Sequence, residues 1–122
     1  MSKESYLIGK AGEDLAESYL TGKGYIIIER NFRSRRGEID LIAFEKDALA
    51  FVEVKNYSFR SYLSPLDSIS RTKKTCLTHA AKSFLIRKNM HHKACRFDVL
   101  IIFSNNDSKK RFLLIKNAFQ IQ

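Results

Sequence analysis

The stretch from residue 37 to residue 56, GEIDLIAFEKDALAFVEVKN, constrains the fold more than any other part of this chain. It holds two runs of alternating apolar and polar residues, separated by a short polar break at Glu45, Lys46 and Asp47. Alternation of this kind matches the two-residue period of a β-strand. Two such runs around a polar break predict a β-hairpin.

The register of this hairpin brings acidic side chains together. A turn centred in the polar break places Asp40 opposite Glu53, and Glu38 opposite Lys55. Directly opposed side chains on one face have Cβ atoms about 5 Å apart, so the carboxylates of Asp40 and Glu53 repel one another. A divalent cation between the two carboxylates removes that repulsion. The hairpin therefore predicts a cation site.

Charge and length limit the classes of protein to which the chain can belong. Its 122 residues suit one domain, spanning 1–122, with enough apolar side chains for a core. A net charge of +9 favours a polyanionic partner, nucleic acid first and an anionic membrane surface second. Lysines and arginines are spread along the chain rather than gathered on one amphipathic helix, which disfavours binding to a membrane surface. A homodimer would suit two-strand substrates, although the sequence shows no exposed apolar stripe that would mark an interface.

No targeting or disulfide pattern is found. The chain has no apolar run near the roughly 18 residues of a membrane span, and the N-terminal MSKESYLIGK lacks the apolar region of a signal peptide. Cys76 and Cys95 are far apart in the sequence and lack CxxC spacing, which predicts two reduced thiols. These features predict a cytoplasmic protein. His91, His92 and Cys95 lack a fourth ligand, which disfavours a zinc site.

The remaining periodicities predict the other elements of an α/β fold. Apolar residues at helical spacing predict one helix over 4–23 and another from Asp67 or Ser68 to about Asn89. A loop is predicted at 57–66. The other predicted strands are 25–33, 96–103 and 111–116. The order helix, three strands, helix, two strands predicts a mixed sheet with a helix on each side.

Some side chains outside the hairpin admit two interpretations. Glu13 lies beside a strip of small residues on the first helix, and it can reach a site at the sheet edge or remain a solvated carboxylate. Lys73 falls on the apolar stripe of the second helix, where snorkelling to solvent is favoured over a polar cavity. Arg60 lies among loop aromatics that could stack on bases, although packing of the loop by its own aromatics is favoured. The cluster Arg30, Arg33, Arg35 and Arg36 fits phosphate contacts or a solvated face.

Asp40, Glu53 and Lys55 carry the chemistry that the hairpin suggests. Hydrolysis of a phosphodiester needs a positioned water, neutralised phosphate charge and help for the leaving oxygen, which one or two Mg²⁺ or Mn²⁺ ions can supply. Carboxylates suit these hard cations, and the backbone carbonyl of Val54 is a further candidate ligand. Lys55 can orient or deprotonate the water, or stabilise the transition state. The alternative is a surface salt bridge between Glu53 and Lys55, with Asp40 as a turn residue.

This pattern resembles the PD-(D/E)XK nuclease superfamily, which has the restriction-endonuclease-like fold, and more closely the YraN-like family of small bacterial proteins. The hairpin motifs GEIDLI and FVEVK are the most specific matches. The other matches are Gly9, Gly12, Glu13 and Ala16; Arg30, Asn31 and Arg33; Lys73, Ala80 and Ala81; Arg96 to Val99; and Asn117 to Phe119. Archaeal Holliday-junction resolvases are similar in this core. In those proteins a glutamate of the first helix joins the metal site, which by similarity implies that role for Glu13.

The resemblance implies a restriction-endonuclease-like mixed sheet and a Mg²⁺- or Mn²⁺-dependent nuclease acting on DNA, with branched or flapped DNA as candidates. Tyr57 stands where family members often have a basic residue, and Arg60 is the candidate substitute. The superfamily also contains proteins that bind nucleic acid without cutting it, so a non-catalytic binding module or complex subunit is the alternative. The nuclease hypothesis makes Asp40, Glu53 and Val54 metal ligands, Lys55 and Glu13 catalytic, Glu38 a secondary acidic residue, and Arg30, Arg33, Arg35, Arg36, Arg60 and Lys73 phosphate contacts.

Overall fold

The computed structural model describes residues 3–58, 69–104 and 109–120, with side chains from Gly12 onward in the first segment and without that of Ser58. The elements in chain order are α1 (Lys3–Gly22), β1 (Ile26–Arg33), β2 (Glu38–Glu45), β3 (Ala48–Ser58), α2 (Arg71–Arg87), β4 (Cys95–Ser104) and β5 (Lys110–Phe119). Within this part of the chain, neither helix combines the length and apolar character needed to cross a bilayer.

The strands form one mixed sheet in the order β1-β2-β3-β4-β5. Strands β3 and β4 are parallel, whereas the other neighbouring pairs are antiparallel. A parallel pair requires a crossover between its strands, and α2 lies in that crossover. The architecture is the predicted α/β arrangement and is consistent with a restriction-endonuclease-like fold.

Each face of the sheet is covered by one helix. Ala16 and Leu20 of α1 pack in a core with Leu41, Val52 and Leu100. On the opposite face, a second core joins buried α2 side chains to residues of the sheet, among them Leu77, Ala81, Phe84, Ile42, Phe51 and Val99. Strand β4 contributes to both cores, as its nearly continuous apolar sequence predicts for an interior strand.

Two glycines permit close approach between elements. A Cβ built on Gly12 of α1 would lie 3.0 Å from the side-chain nitrogen of Asn56 in β3, which confirms that small residues bring this helix close to the sheet. A Cβ on Gly37 would lie 2.3 Å from the backbone oxygen of Cys76 in α2. A side chain at residue 37 would therefore push α2 away from the start of β2.

The hairpin prediction is confirmed, and several element boundaries differ from those predicted. Strands β2 and β3 pair in the predicted register from Leu41 opposite Val52 to the turn. Strand β3 continues beyond the predicted loop start to Ser58, because it pairs with β4 there. Strand β5 extends past the predicted end at residue 116 to Phe119, whose ring stacks on that of Phe97 at 4.6 Å.

The start of α2 also differs from the prediction. The helix begins at Arg71 rather than at Asp67 or Ser68, because Ser70 is its N-cap and its hydroxyl accepts a hydrogen bond from the backbone amide of Lys73. Arg60 and most of the predicted 57–66 loop lie outside the described residues.

Candidate metal centre

The site is built where β2 and β3 part. The described pairing of the two strands ends at Leu41 and Val52, so the backbone amide of Val54 has no partner in β2 from the regular ladder. The carboxylate of Asp40 takes that place, and its Oδ2 accepts a hydrogen bond from the Val54 amide at 2.8 Å. The aspartate is thereby held at the fork between the strands.

An irregularity in β1 and β2 accompanies this fork. Arg30 pairs with Leu41, and Phe32 pairs with Ile39. Leu41 lies in the core under α1, whereas Phe32 and Ile39 lie in the core under α2. Regular alternation along β2 would place Ile39 and Leu41 on the same face of the sheet. The side chains therefore change their facing direction at the intervening pair, Asn31 and Asp40. Asn31 has a φ of 54°, which is a left-handed conformation that asparagine tolerates.

Glu53 reaches the same place from β3. Its side chain is only 6% exposed, and its Oε2 is a buried oxygen that accepts no hydrogen bond from the described residues. The ammonium Nζ of Lys73 lies 3.4 Å from that oxygen, close enough for an ion pair. The favoured prediction that Lys73 snorkels away to solvent was wrong, since its amine faces this polar site while its side chain stays half-exposed.

The two carboxyl groups interact directly. Burial, then a hydrogen bond to Glu53, then repulsion by the charge of Glu53 raise the pKa of Asp40 to about 8. The Val54 amide and the Lys73 ammonium favour the ionised form, but they are outweighed. The predicted contact between Asp40 and Glu53 is therefore present, although the described β2–β3 pairing ends at Leu41 and Val52, and the contact is made by the side chains where the strands part.

The donor set fits a hard divalent ion. Within the described segments, no group of three or more histidine, cysteine or acidic side chains converges in a way that could hold a metal. The site therefore offers a carboxylate pair and not a closed cage. Mg²⁺ is commonly bound by one or two carboxylates, with water and substrate phosphate completing its shell. The buried, unsatisfied oxygen of Glu53 is the atom that such an ion would satisfy.

Lys55 lies on the same face of β3 as Glu53. The two residues pair with Ile101 and Val99 of β4, and both of these belong to the core under α2. The side chain of Lys55 is half-buried. The structure thus places the predicted catalytic lysine two residues from the carboxylate pair and on its side of the sheet.

Glu13 and Arg30 have other partners. The guanidinium of Arg30 binds three carboxylates of α1, at 2.8 Å from Asp14, 3.0 Å from Glu17 and 3.3 Å from Glu13. Asn31 also donates a hydrogen bond to Glu13 at 2.9 Å. Glu13 is therefore not joined to Asp40 and Glu53 in one acidic set, and its catalytic role stays a prediction. The charge of Arg30 holds α1 on β1.

The other predicted basic residues lie on the surface near the start of β2. Arg33 is 3.7 Å from Glu38, and both side chains are substantially exposed. Arg36 lies 3.2 Å from the ring of His79 in α2, and Arg35 is exposed. These arginines are available to solvent, as phosphate contacts require.

Sequence reasoning missed a polar network at the other end of β2. Asp98 is fully buried in β4 and accepts hydrogen bonds from the hydroxyl of Tyr25 at 2.7 Å, from Nε of Arg96 at 2.9 Å and from the amide of Asn117 at 2.9 Å. Arg96 also donates to Glu45 at 2.8 Å. The available signal was a single aspartate inside an otherwise apolar strand.

The raised pKa of Asp40 predicts a pH dependence of stability in the metal-free protein. Between about pH 4 and pH 8, the folded protein keeps a proton on Asp40 that the unfolded chain has released, so stability falls as pH rises through this window. Asp40→Asn removes that loss, and its stability relative to wild type should rise with pH by at most about 1.4 kcal/mol per unit. Urea unfolding in EDTA from pH 5 to 9 measures the difference. Parallel curves for the two proteins would contradict the raised pKa.

Comparison with known sequences identifies the family of this chain. The profile of the uncharacterised protein family UPF0102 matches residues 12–102, which include the hairpin, α2 and most of β4. A UPF0102 protein of Clostridium kluyveri is 41% identical over 115 residues, covering 93% of this chain and 94% of the relative. One from Clostridium botulinum strain 657 is 43% identical over 116 residues with the same coverage, and one from Clostridium tetani is 39% identical over 122 residues, covering 99% and 100%. The resemblance to the YraN-like family is thus confirmed, and the chain belongs to the UPF0102 family.

Proposed function

We propose that this protein is a metal-dependent nuclease that hydrolyses phosphodiester bonds in DNA. The observation that carries the proposal is the contact of two buried carboxyl groups: the pKa of Asp40 is raised by burial and then by Glu53, and the Oε2 of Glu53 accepts no hydrogen bond from the described residues and has Lys73 at 3.4 Å. Two buried carboxyl groups in contact cost free energy, and so does a buried oxygen that accepts no hydrogen bond. A purely structural role does not explain why the chain keeps them.

Each residue of the site has a role in this reaction. Asp40 and Glu53 would hold Mg²⁺ or Mn²⁺, with the Val54 carbonyl as a further candidate. When bound, the ion supplies charge neutralisation at the phosphate and lowers the pKa of a bound water. Lys55 donates to a phosphate oxygen, or in its neutral form accepts a proton from the attacking water. Lys73, whose ammonium lies 3.4 Å from Glu53, would be a further cation able to contact a phosphate oxygen at this site.

Cleavage assays test the activity. Single-stranded, duplex, flapped and four-way-junction DNA are incubated with the wild-type protein in Mg²⁺, in Mn²⁺ and in EDTA. We expect cleavage of at least one substrate with either metal and none in EDTA. Failure of the wild-type protein to cut any substrate with either metal would exclude the enzyme.

Binding of the metal should also stabilise the fold. A ligand that binds only the folded state at 100 times its Kd adds about 2.7 kcal/mol of stability, which corresponds to a rise in Tm of several degrees for a domain of this size. We expect Mn²⁺ to produce such a rise in the wild-type protein, and Asp40→Asn and Glu53→Gln to lose it. Asp14→Asn removes a carboxylate that binds Arg30 elsewhere and should keep the full rise. An undiminished rise in Asp40→Asn would rule out this metal site.

One observation favours a second function, that of a nucleic-acid-binding module that does not cut. The ammonium of Lys73 already lies 3.4 Å from Glu53, so a cation of the protein itself accompanies the carboxylate pair. Binding to DNA with a steep negative dependence on salt, without turnover in any metal and without change in Glu53→Gln, would support this function over the nuclease.

A further inference from the structure

A polar stripe runs along α2 outside its buried face. His79, Ser83 and Arg87 recur every four residues and therefore lie on one side of the helix. The first two line a pocket of about 150 Å³ together with Ser34, Arg35 and Arg36. The wall opposite α2 is thus the connection between β1 and β2.

A second, larger pocket adjoins the first. It has a volume of about 300 Å³ and is lined by residues 29–33 of β1 together with Arg87 and Lys88. Arg33 and Ser34 are consecutive, and Ser83 and Arg87 are one helical turn apart, so the two pockets share both walls. We call the combined depression the α2 groove, formed by residues 29–36 on one side and by His79, Ser83, Arg87 and Lys88 on the other.

The charge of the α2 groove is positive and largely uncompensated. Arg30 is held by carboxylates of α1, and Arg33 lies near Glu38. Glu29 is an acidic member of the lining. Four cations remain for which no carboxylate of the described chain lies at ion-pair distance: Arg35, Arg36, Arg87 and Lys88. The guanidinium of Arg87 lies 5.1 Å from the ring centroid of Phe32, which holds it against the groove wall.

The carboxylate pair lies toward the N-terminal end of α2, and its residues do not line either of the two pockets. At the N-terminal end of α2, Lys73 contacts Glu53, and one turn later the backbone of Cys76 abuts Gly37. His79 and Arg36 follow, and Arg87 closes the series. From Lys73 to Arg87 the helix rises about 21 Å. Cations are therefore available along one line that starts at the candidate metal centre.

We propose that the α2 groove binds the sugar-phosphate backbone of a single nucleic-acid strand and leads that strand from the carboxylate pair toward the C-terminal end of α2. This inference rests on the proposed function for the position of the scissile bond, but the binding itself does not require cutting. Cations spread along a line match the evenly spaced charges of a phosphodiester chain. The two depressions, of about 300 and 150 Å³, lie beside these cations, and a single strand is flexible enough to follow both.

The same experiment tests an alternative in which these cations serve only to stabilise the helix. The C-terminal turn of a helix carries partial negative charge and favours lysine and arginine there, which would account for Arg87 and Lys88 without any ligand. Under that explanation, neutralising the two residues changes helix stability slightly and leaves nucleic-acid binding unaffected.

The experiment compares two charge-matched double variants of the full chain. The double variant Arg87→Gln with Lys88→Gln removes two positive charges from the end of the α2 groove farthest from the carboxylate pair. Lys82→Gln with Lys46→Gln removes the same charge from exposed positions on the outer side of α2 and in the β2–β3 turn. Both are made with Lys55→Ala to suppress cutting, and fluorescence anisotropy with and without Mn²⁺ measures binding of single-stranded oligonucleotides of increasing length and of a duplex.

We expect the groove variant to bind long single strands at least about tenfold more weakly than the control at low salt. The slope of log K against log salt should be shallower by about 0.7 for each lost phosphate contact. Oligonucleotides too short to span from the carboxylate pair to Arg87 should bind both variants equally. The proposal is overturned if the two variants bind alike at every length, if duplex binding is weakened more than single-strand binding, or if the Lys55→Ala protein binds no oligonucleotide.

Failure of the groove and failure of the nuclease are distinguishable. Length-dependent loss of binding in the groove variant, with no cleavage by the wild-type protein, supports the groove and rejects the enzyme. Cleavage by the wild-type protein, with unchanged binding in the groove variant, supports the enzyme and rejects the groove.

Discussion

Replacing Lys55 with alanine is expected to lower the rate of DNA cleavage by about 10² to 10⁴-fold, the range typical of a lost general acid or base. The lysine shares a strand face with Glu53, and only one residue separates them, so the same backbone segment positions both. Its ammonium is not a metal ligand. The rise in Tm produced by Mn²⁺ should therefore survive in Lys55→Ala while the rate collapses.

Two comparisons make this result specific. Lys82→Ala removes an exposed lysine of α2 and should leave the rate within about twofold of wild type. Lys55→Arg keeps the positive charge but changes the geometry of its donors, so partial activity there would indicate electrostatic stabilisation, and none would indicate proton transfer. If Lys55→Ala cleaves DNA as fast as Lys82→Ala, the assignment of Lys55 as the catalytic lysine is wrong.

The second large effect concerns stability and lies away from the candidate site. Asp98→Asn is expected to lower the free energy of unfolding by about 3–5 kcal/mol, because it removes a fully buried carboxylate that pairs with the partly buried guanidinium of Arg96. Asp98 is fully buried and accepts hydrogen bonds from Tyr25, Arg96 and the Asn117 amide. These three partners come from the approach to β1, from β4 and from β5, so the carboxylate joins segments from both edges of the sheet.

The contacts with Asp98 also raise the pKa values of its two side-chain neighbours, Tyr25 and Arg96. Burial, then the hydrogen bond to Asp98, raises the pKa of Tyr25 above its ordinary value. Burial alone would lower the pKa of Arg96, but hydrogen bonds to Asp98 and Glu45 outweigh burial and raise it. Both groups therefore keep their protons throughout the neutral range, so the hydrogen bonds of the network do not change with pH there.

Urea unfolding at neutral pH measures this prediction, with Asp14→Asn as the matched control. Asp14 also binds an arginine at 2.8 Å, but its side chain is 56% exposed, and exposed ion pairs contribute about 0–1 kcal/mol. Since domains are commonly stable by about 5–15 kcal/mol, the Asp98 variant should lose a large part of its stability. An Asp98→Asn protein that unfolds at the same urea concentration as Asp14→Asn would show that the network contributes little.

Local patterns predicted the elements and their faces. The two-residue alternation and the polar break of residues 37–56 predicted the register near the turn, and with it the contact of Asp40 with Glu53. The alternation did not predict the change of facing direction at Asp40, which places Ile39 and Leu41 in opposite cores. The apolar stripe of α2 predicted its buried face. Boundaries at Ser58, Arg71 and Phe119 were less accurate, because strand pairing and capping outside the periodic segment determine where an element ends.

The hairpin, its acidic pair and the order of helices and strands follow from the sequence alone, since each depends on residues near one another along the chain. The contacts of Lys73 with Glu53, of the α1 carboxylates with Arg30, and of Asp98 with partners from three segments became visible only in the folded chain. Those pairings link elements far apart in the chain. Their free energy depends on how two helices dock on opposite faces of one sheet, which no local periodicity encodes.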